Sequence, residues 1–572
     1  MTARGSLRPP PPTFAELFTP KLVTVLREGY GWQQLRADAM AGLTVAIVAL
    51  PLSMAIAIGS GLSPEKGLYT AIVGGFLISA LGGSRFQIGG PAGAFIVLIA
   101  TIVERHGYDG LVLATAMAGL MMIGIGFLRL GATVKYIPFP VTVGFTAGIA
   151  VIIFASQVKE LLGLDIDKEP AALLPKIGAI AESIHTVKLV TVMLAVMATA
   201  TILVLRHYRP RWPGLLIAVA GTAFATYLFN LDVATIGTKF GEVPRTLPLP
   251  SLPAFDLAKM RAVLPDAMAI ALLGAVESLL SAVVADGMTG RKHRSNCELV
   301  AQGTANIASV AFGGMCATGT IARTATNVRS GAHGPISGIF HAGYILVFML
   351  VAAPLAAYIP LASLGAVLAI VAWNMAEKEE FWGLMRASWG DALVLLVTFL
   401  LTIFEDLTLA IGAGVTLGSF LFLHRMAEAV EVEMGQRMLP ADEADPTGAA
   451  RTLYDPNAMD SDILVYRITG AFFFGATAAV SGVLDRIGRA PKAFVLDFSE
   501  VPLIDSTAAK ALESFVERLH HSGTRVYFAG ASRTVRRSLL VTGLRKPVVR
   551  YTTTADDAVD HWRGATASLP HE

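Results

Sequence analysis

The chain has 572 residues, of which 54% are hydrophobic and only 15% are Asp, Glu, Lys or Arg. Soluble domains carry about 25% charged residues, so this composition, with a mean hydropathy of +0.60, excludes an ordinary soluble enzyme and a disordered protein. It indicates a polytopic membrane protein whose first partner is the lipid bilayer. The net charge of +2 gives no basic excess for binding nucleic acid. The sequence contains neither a Walker pattern for binding ATP nor an arrangement of nucleophile and base, so we expect neither an enzyme nor a cofactor.

Shifts in composition divide the chain into four regions. The N-terminal region is basic and proline-rich and lacks the apolar core of a signal peptide, which predicts a cytoplasmic arm. The predicted regions are the arm (1–36), a transmembrane domain (37–426), an acidic linker (427–455) and a small α/β domain (456–565).

Long runs without charged residues predict the membrane-spanning segments, about seven on each side of a polar stretch at Asp232–Arg261. In the first half they are Ala39–Pro64, Gly67–Ser84, Phe86–Val103, Gly110–Leu128, Tyr136–Val158, Leu189–Leu205 and Trp212–Leu231. In the second half they are Ala267–Ala285, which contains one acid, Leu299–Ala322, Ser330–Ala376 broken near Pro360, Ala392–Phe404 and Leu407–Leu423.

The third segment of each half, near Gly90 and near Thr320, is short and interrupted by glycine or proline. Two halves with an odd number of spans have opposite orientations, and interrupted segments at matching places indicate an inverted-repeat transporter with a binding site in the middle of the membrane. Basic residues gather at the ends of even-numbered spans. By the positive-inside rule, both termini are then cytoplasmic and the chain is a multi-pass protein of the inner membrane.

The C-terminal region alternates short apolar strands with an amphipathic helix, which predicts a mixed sheet covered by helices. The predicted elements are strands at Ile463–Ile468, Ala471–Phe474, Ala493–Phe498 and Arg525–Ala529, and a helix at Ser506–Leu519. The helix opens at Asp505-Ser506-Thr507, residue types typical of an N-cap. The alternative is regulation, because a phosphate on Ser506 or Thr507 would place negative charge at a helix N-terminus.

Glu277 is the first candidate for chemistry, because it interrupts an apolar span. A carboxylate there costs about 2.5–3.5 kcal/mol on insertion scales, so it should face a cavity or a partner. We interpret it as a relay for a proton or a cation, with a structural clamp as the alternative. Ser281 lies one helical turn further along the same face.

Arg323 is the second candidate for chemistry. It follows the uncharged segment Thr318-Gly319-Thr320-Ile321-Ala322 and precedes Thr324. Glycine and threonine before a short helix predict a broken backbone whose amide groups, at a helix N-terminus, bind an anion. The alternative is an interfacial arginine that reaches toward lipid phosphate. The segment Gly89-Gly90-Pro91-Ala92-Gly93 is its counterpart in the first half, and two such N-termini facing one point would hold an anion.

Several motifs resemble the SulP family of anion transporters, also called the sulfate permease or solute carrier 26 family. In the membrane region they are Leu50-Pro51-Leu52-Ser53-Met54-Ala55, Gly61-Leu62-Ser63-Pro64, Gly82-Gly83-Ser84-Arg85, Gly90-Pro91-Ala92, Glu277-Ser278-Leu279-Leu280-Ser281 and Ala322-Arg323-Thr324. In the C-terminal region, Val495-Leu496-Asp497-Phe498 and Ile504-Asp505-Ser506-Thr507 look like a STAS domain. The resemblance covers nearly the whole chain.

The resemblance implies an all-α membrane domain of 14 segments in a 7+7 inverted repeat, divided into a core and a gate, followed by a cytoplasmic α/β STAS-like domain. It implies a homodimer and elevator-like alternating access. A cytoplasmic partner that binds the STAS domain is a separate hypothesis. The anion would lie between segments 3 and 10. Its implied contacts are Leu52, Ile56, Pro91, Ala92, Gly93, Ala322, Arg323 and Thr324.

The sodium-coupled bicarbonate members of the family use an Asp where this chain has Glu277, together with positions that correspond to Ser281, Gly319, Thr320 and Ile321. Glutamate at this place resembles members thought to be proton-coupled, which favours H⁺ over Na⁺ as the coupling ion. The small Ala92 and Ala322 leave room for a larger anion. We therefore expect a proton-coupled importer of an inorganic oxyanion, with sulfate favoured. Sodium–bicarbonate symport, proton–C4-dicarboxylate transport and an exchanger or channel are the alternatives.

Overall fold

The computed structural model describes residues 13–131, 138–166, 170, 172–209, 212–251, 256–405, 407–428, 431–434, 463–471, 491–521 and 523–567. They form two compact units, Met1–Gly418 and Ser419–Glu572. Most of the predicted acidic linker and of the predicted strand at Ala471–Phe474 lies outside the described residues.

The first unit is built almost entirely from helices. They are α1 (Phe14–Phe18), α2 (Lys21–Glu28), α3 (Trp32–Gly59), α4 (Pro64–Tyr69), α5 (Gly75–Leu81), α6 (Ile96–Phe127), α7 (Phe139–Leu162), α8 (Leu173–Glu182), α9 (Leu189–Tyr208), α10 (Gly214–Phe229), α11 (Ile236–Phe240), α12 (Leu257–Thr289), α13 (Ser295–Ala311), α14 (Ile321–Arg329), α15 (Ile336–Ala356), α16 (Leu361–Met375), α17 (Lys378–Ala387), α18 (Trp389–Phe404) and α19 (Leu407–Glu428). Two short strands, β1 (Gly89–Gly90) and β2 (Thr318–Gly319), interrupt the series.

The predicted segments can be followed through these helices. A π-helical turn at Thr70–Gly74 joins α4 to α5 into one segment, whereas Gly107 has non-helical torsions and divides α6 into two. Pro360 precedes α16 and separates it from α15, as the sequence predicted. Within the described residues, eight helical stretches are long and apolar enough to cross a membrane on their own, and α10 and α18 are shorter apolar helices. The first of these stretches starts at Trp32, inside the predicted N-terminal arm.

The helices of the first unit pack mainly in two groups. Helices α3 to α6 pack with α12 to α15, and α7, α9 and α10 pack with α16 to α18. Glycines allow the backbones to approach: a Cβ on Gly119 of α6 would lie 2.7 Å from the carbonyl oxygen of Gly303 on α13. In a membrane, where burial of apolar surface cannot drive helices together, such close contacts are a main source of packing energy.

The second unit contains a five-stranded sheet in the order β3 (Glu431–Met434), β4 (Ile463–Thr469), β5 (Ala493–Glu500), β6 (Arg525–Ala529) and β7 (Arg550–Thr552). Strand β3 is antiparallel to β4, and the other neighbours are parallel. The strand β3 lies within the region predicted to be the acidic linker, so the sheet starts earlier in the chain than the sequence indicated.

Helices cover both faces of this sheet. On one face, α20 (Ser506–His521) and α21 (Arg533–Val541) pack over a core that includes Phe494, Phe498 and Phe528. On the other face, Trp562 of α22 (Ala555–Ala567) packs against Val495 and Tyr527. Alternate residues of a strand point to opposite faces, which is why β5 is an uninterrupted apolar run from Ala493 to Leu496.

The packing of α7 against α18 tests whether close contacts at glycines stabilise the first unit. A Cβ on Gly144 would lie 2.5 Å from the Leu395 carbonyl oxygen, and one on Gly148 would lie 2.7 Å from the Thr402 side chain. Each Gly→Ala substitution should therefore destabilise the protein by about 1–3 kcal/mol through overpacking. Thermal unfolding of the detergent-solubilised chain measures this effect. Gly221 of α10 has open space at its Cβ position, so Gly221→Ala is the matched control and should leave the Tm unchanged or raise it. Equal changes in Tm at all three positions would contradict this account.

Candidate functional site

The two interrupted segments meet in a short antiparallel pairing at the centre of the first unit. Gly89 faces Gly319 and Gly90 faces Thr318, and the Thr320 amide donates to the Ile88 carbonyl over 3.1 Å. Each strand leads into a helical start: a 3₁₀ turn at Gly93–Phe95 continues into α6, and β2 continues into α14. The sequence predicted these two segments as counterparts, and the structure places them side by side.

Neither helical start carries a side-chain cap. The residues that precede them, Ala92 and Thr320, are extended and accept no capping hydrogen bond. The first amide groups of a helix have no partners within the helix, and its N-terminus is positive. Two uncapped N-termini that follow paired strands therefore form a place suited to negative charge.

Arg323, in the first turn of α14, lies next to this pairing and is only 3% exposed. Its Nη2 donates to the Ser53 hydroxyl of α3 over 3.3 Å, whereas Nε and Nη1 have no hydrogen-bond partner within the described residues. Gly90, with a φ of +153°, packs so closely that a Cβ there would clash with Nη1. The guanidinium is thus buried among helices and not at the lipid interface, which removes the alternative of an arginine that reaches toward lipid phosphate.

No carboxylate forms an ion pair with Arg323 in the part of the chain that the structure describes. An unpaired buried charge costs far more free energy than one that is paired and hydrogen-bonded. An anion bound at Nε and Nη1 would supply the missing charge and the missing acceptors. The arrangement is therefore chemically suited to holding a small anion.

The other predicted substrate contacts come from the same three elements. Ile56 of α3 is buried, and Leu52, one turn earlier, is half-buried. Pro91 and Ala92, between β1 and the 3₁₀ turn, are buried, and Gly93 is half-buried.

In α14, the predicted contacts differ in exposure: Ala322 is exposed, whereas Thr324 is buried. Helix α3 packs against α14, so Ser53 and Arg323 join the two elements. Their roles in binding stay predictions.

The predicted coupling residues lie on α12 and at the start of α14. Glu277 is half-buried and has no hydrogen-bond or ion-pair partner within the described residues. The Ser281 hydroxyl donates to Thr324 Oγ1 over 3.0 Å, and that oxygen also accepts from the Ile88 amide over 3.2 Å. Ser281 thus joins α12 to α14 and to the approach of β1, whereas Glu277 forms no hydrogen bond or ion pair with the described residues.

The remaining predicted coupling positions are parts of the strand–helix junction. Gly319 is buried in β2, and a Cβ there would clash with the Gln87 side chain. Thr320 and Ile321 are half-buried where α14 begins. In the described part of the chain, no three His, Cys, Asp or Glu side chains are grouped so that they could hold a metal ion.

In the second unit, the backbone of Ser506 and Thr507 begins α20. The preceding Asp505 accepts a hydrogen bond from the Ala508 amide over 2.8 Å, so Asp505 caps the helix. The side chains of Ser506 and Thr507 lie outside the described part of the structure.

Sequence reasoning missed a polar ladder on α13. Glu298, which is fully buried, accepts hydrogen bonds from the Gly83 and Ser84 amides over 2.9 and 3.0 Å and from Gln87 over 3.0 Å. Gln302, one turn later, donates to Glu298 over 2.8 Å.

One turn beyond Gln302, Asn306 bonds both the amide and the carbonyl of Ala317, over 2.9 and 2.8 Å. One helix therefore holds the approach to β1 through Glu298 and the approach to β2 through Asn306. The signal in the sequence is three polar residues, each four positions apart, at the start of an otherwise apolar run.

The approach to β1 is also fixed from the N-terminal side. The Arg85 guanidinium forms a bidentate salt bridge with Glu28 of α2, and one of its two hydrogen bonds is 2.7 Å long. These hydrogen bonds hold the pKa of Glu28 below its usual range. Arg85 therefore has a structural role, which is to pair with Glu28.

Comparison with known proteins decides which family this architecture represents. The sequence pattern of the Sulfate permease family matches residues 35–398, and that of the STAS domain matches residues 458–558. The chain belongs to the sulfate permease family. As a SulP protein, it is an anion transporter and not an enzyme.

Two curated relatives span almost the whole chain. The chain is 39% identical over 519 residues, 90% of its own length and 95% of the relative's, to the Bacillus subtilis protein named "Putative sulfate transporter YvdB". It is 32% identical over 527 residues, 89% of its length and 90% of the relative's, to the bicarbonate transporter BicA of Synechocystis. These two relatives are named for different anions, sulfate and bicarbonate.

Solved structures confirm the fold. Murine Slc26a9 in the inward-facing state superposes with a TM-score of 0.83 at 16% identity, covering 99% of this SulP chain and 96% of that one. The transmembrane domain of a cyanobacterial BicA gives a TM-score of 0.60 at 31% identity, over 68% of this chain and 98% of that one. A helical polytopic membrane domain followed by an α/β STAS domain is thus the fold predicted from the sequence.

The polar ladder gives a second prediction. Glu298→Ala removes the acceptor of two buried amides, each of which costs about 1–3 kcal/mol when left without a partner. We expect a fall in Tm of several degrees for Glu298→Ala. Glu298→Gln keeps one acceptor oxygen and should cost less. Glu379 of α17 is exposed, so Glu379→Ala is the control. A Tm of Glu298→Ala equal to that of Glu379→Ala would show that the ladder does not hold the site.

Proposed function

We propose that the protein is a secondary active importer of an inorganic oxyanion, with sulfate as the favoured substrate and a proton as the coupling ion. It acts as a homodimer in the inner membrane with both termini in the cytoplasm, and an elevator-like movement carries the anion across. The observation that supports an anion site most strongly is Arg323, buried with two unpartnered nitrogens beside two uncapped helix N-termini.

The chemistry of this place favours a compact oxyanion. Guanidinium nitrogens and backbone amides are both hydrogen-bond donors, and a tetrahedral or planar oxyanion accepts from such donors with several oxygens. The neighbouring contacts, Ile56, Ala92 and Ala322, are small or apolar and offer no competing hydrogen bonds. Sulfate is favoured over bicarbonate because the most similar of the relatives compared above carries sulfate in its name.

Glu277 supports the proton as the coupling ion. It is a carboxylate in a membrane span that has no cation or hydrogen-bond donor from the described residues, and the negative charge of Glu377 acts on it. Protonation neutralises such a group, which lowers the cost of moving it through the membrane interior. A hard cation such as Na⁺ prefers several oxygen ligands, whereas a proton needs only the carboxylate of Glu277. Sodium-coupled transport of bicarbonate is the second candidate, supported by the similarity to BicA.

Purified protein in proteoliposomes tests the substrate and the coupling ion together. Radiolabelled sulfate, bicarbonate and succinate are each offered with a pH gradient, a sodium gradient or neither. We expect sulfate to accumulate above its outside concentration when a pH gradient is applied. Accumulation of bicarbonate with sodium alone would favour the second candidate, and succinate uptake would favour a dicarboxylate carrier. Flux that never exceeds equilibrium would indicate a channel or an exchanger.

The role of Arg323 predicts a change in apparent affinity. Arg323→Gln removes the charged donors and should raise the half-saturating anion concentration by at least about tenfold, because a hydrogen bond to a charged group contributes about 1.5–3 kcal/mol. Arg329, on the same helix, is exposed and provides the control Arg329→Gln. Uptake kinetics in proteoliposomes measure both. Unchanged affinity in folded Arg323→Gln would remove the guanidinium from the proposed site.

The role of Glu277 predicts a separation of coupling from transport. Glu277→Gln is permanently neutral, so accumulation driven by a pH gradient should fall to the equilibrium level while exchange of labelled for unlabelled anion continues. Glu379→Gln serves as the control, since Glu379 is exposed on α17. Should Glu277→Gln still concentrate the anion in response to a pH gradient, this carboxylate does not couple the proton.

A further inference from the structure

The solvent-facing side of α21 in the STAS domain carries three arginines that lead into two large apolar residues. Helical spacing places Arg533, Arg536, Arg537, Leu540 and Val541 on one face of the helix. We call these five residues the basic stripe. The opposite side of the helix is buried against the sheet through Val535 and Leu539.

The charge of the basic stripe is not balanced locally. The segment 533–553 contains six Lys or Arg residues and no Asp or Glu. Arg533 and Arg537 are exposed, and within the described residues no carboxylate pairs with either. Arg536 stacks on the Tyr551 ring at 4.8 Å, which fixes the middle of the stripe. The face therefore projects a positive potential that an anionic surface would neutralise.

The apolar end of the stripe distinguishes it from an ordinary charged surface. Leu540 is 41% exposed and Val541 is 82% exposed. Single exposed apolar residues are common. Two neighbouring ones at the end of a row of arginines match the pattern of a helix that lies in the interface of a bilayer, with its cations at the headgroups and its apolar residues at the acyl boundary.

The chain itself brings a bilayer within reach. Helix α19 contains a stretch apolar enough to span a membrane, Leu409–Met426, and ends at Glu428. Strand β3, the edge of the STAS sheet, begins at Glu431, so two residues join a membrane-spanning helix to the sheet. Two residues span at most about 7 Å, so the sheet cannot move far from the membrane that holds α19, and even a weak affinity of the stripe for lipid headgroups is then sufficient.

We propose that the basic stripe binds the anionic headgroups of the bilayer in which the protein is embedded. Arg533 and Arg537 contact lipid phosphates, and Leu540 and Val541 enter the interface. An acidic surface of another protein is the competing occupant. It would be neutralised by the same arginines but would not depend on the lipid composition, and that difference allows a direct test.

The test uses the full-length chain in nanodiscs of phosphatidylcholine alone or of equal parts phosphatidylcholine and phosphatidylglycerol. A bimane label on Thr534→Cys, beside the stripe, is quenched by lipids that carry a nitroxide headgroup. A label on Asp560→Cys, on the opposite face of the sheet, is the positional control. We expect quenching at position 534 only in the anionic discs, and we expect salt to weaken it.

Charge variants complete the design. Each basic residue lost from an anionic surface weakens attachment about fivefold, so Arg533→Gln with Arg537→Gln should weaken it about 25-fold and abolish the quenching. Lys510→Gln with Arg525→Gln removes the same charge outside the stripe and should leave it intact. Leu540→Ser with Val541→Ser should reduce quenching while the salt dependence remains. Equal quenching in both lipids, or quenching that survives the loss of Arg533 and Arg537, would overturn the proposal. If an added acidic protein shields the label at position 534 from the nitroxide lipids, and lipid composition has no effect, the stripe binds that protein and not the bilayer.

Discussion

The pairing of two very short strands, β1 with β2, is the constraint on which the rest of the membrane unit depends. Backbone that is not helical can lie deep in a membrane only if its polar groups are satisfied within the protein. Here each broken segment satisfies the other, from Gly89 opposite Gly319 to the bond between Thr320 and Ile88. The polar ladder of α13 then fixes both segments to one helix, and the hydrogen bonds that Glu298 accepts there offset the cost of burying its carboxylate.

The pairing of β1 with β2 also determines where positive charge lies in the candidate site. Because β1 and β2 expose two helix starts at one place, positive potential exists there before any side chain is added. Arg323 adds a full charge and leaves two of its nitrogens free, while Glu277 stands apart on α12 without forming an ion pair with it. An arginine and a carboxylate that do not neutralise each other can each respond to a separate ligand, and the coupling proposed above depends on that independence.

Much of the fold could be predicted from the sequence, because charge-free runs and their interruptions report directly on membrane segments. The same pattern located Arg323 and Glu277, since a charge within an apolar span is conspicuous. Glu298 was missed because it sits at the edge of its run, where it looks like an ordinary helix-end acid. The strand β3 was missed because two of its four residues are acidic, and composition alone assigned them to a linker. Which side chains remain unpartnered could not be predicted, since that depends on distances between elements far apart in the chain.

The antiparallel register between β1 and β2 also has an evolutionary consequence. Each half of the molecule supplies the steric limit for the other: a side chain added at Gly319 would occupy the place of Gln87, and one added at Gly90 would displace the Arg323 guanidinium. Two segments in such contact are not free to change separately. A substitution that changes the size of one strand can be accepted only if its counterpart changes too, so selection acts on the pair and not on either half alone.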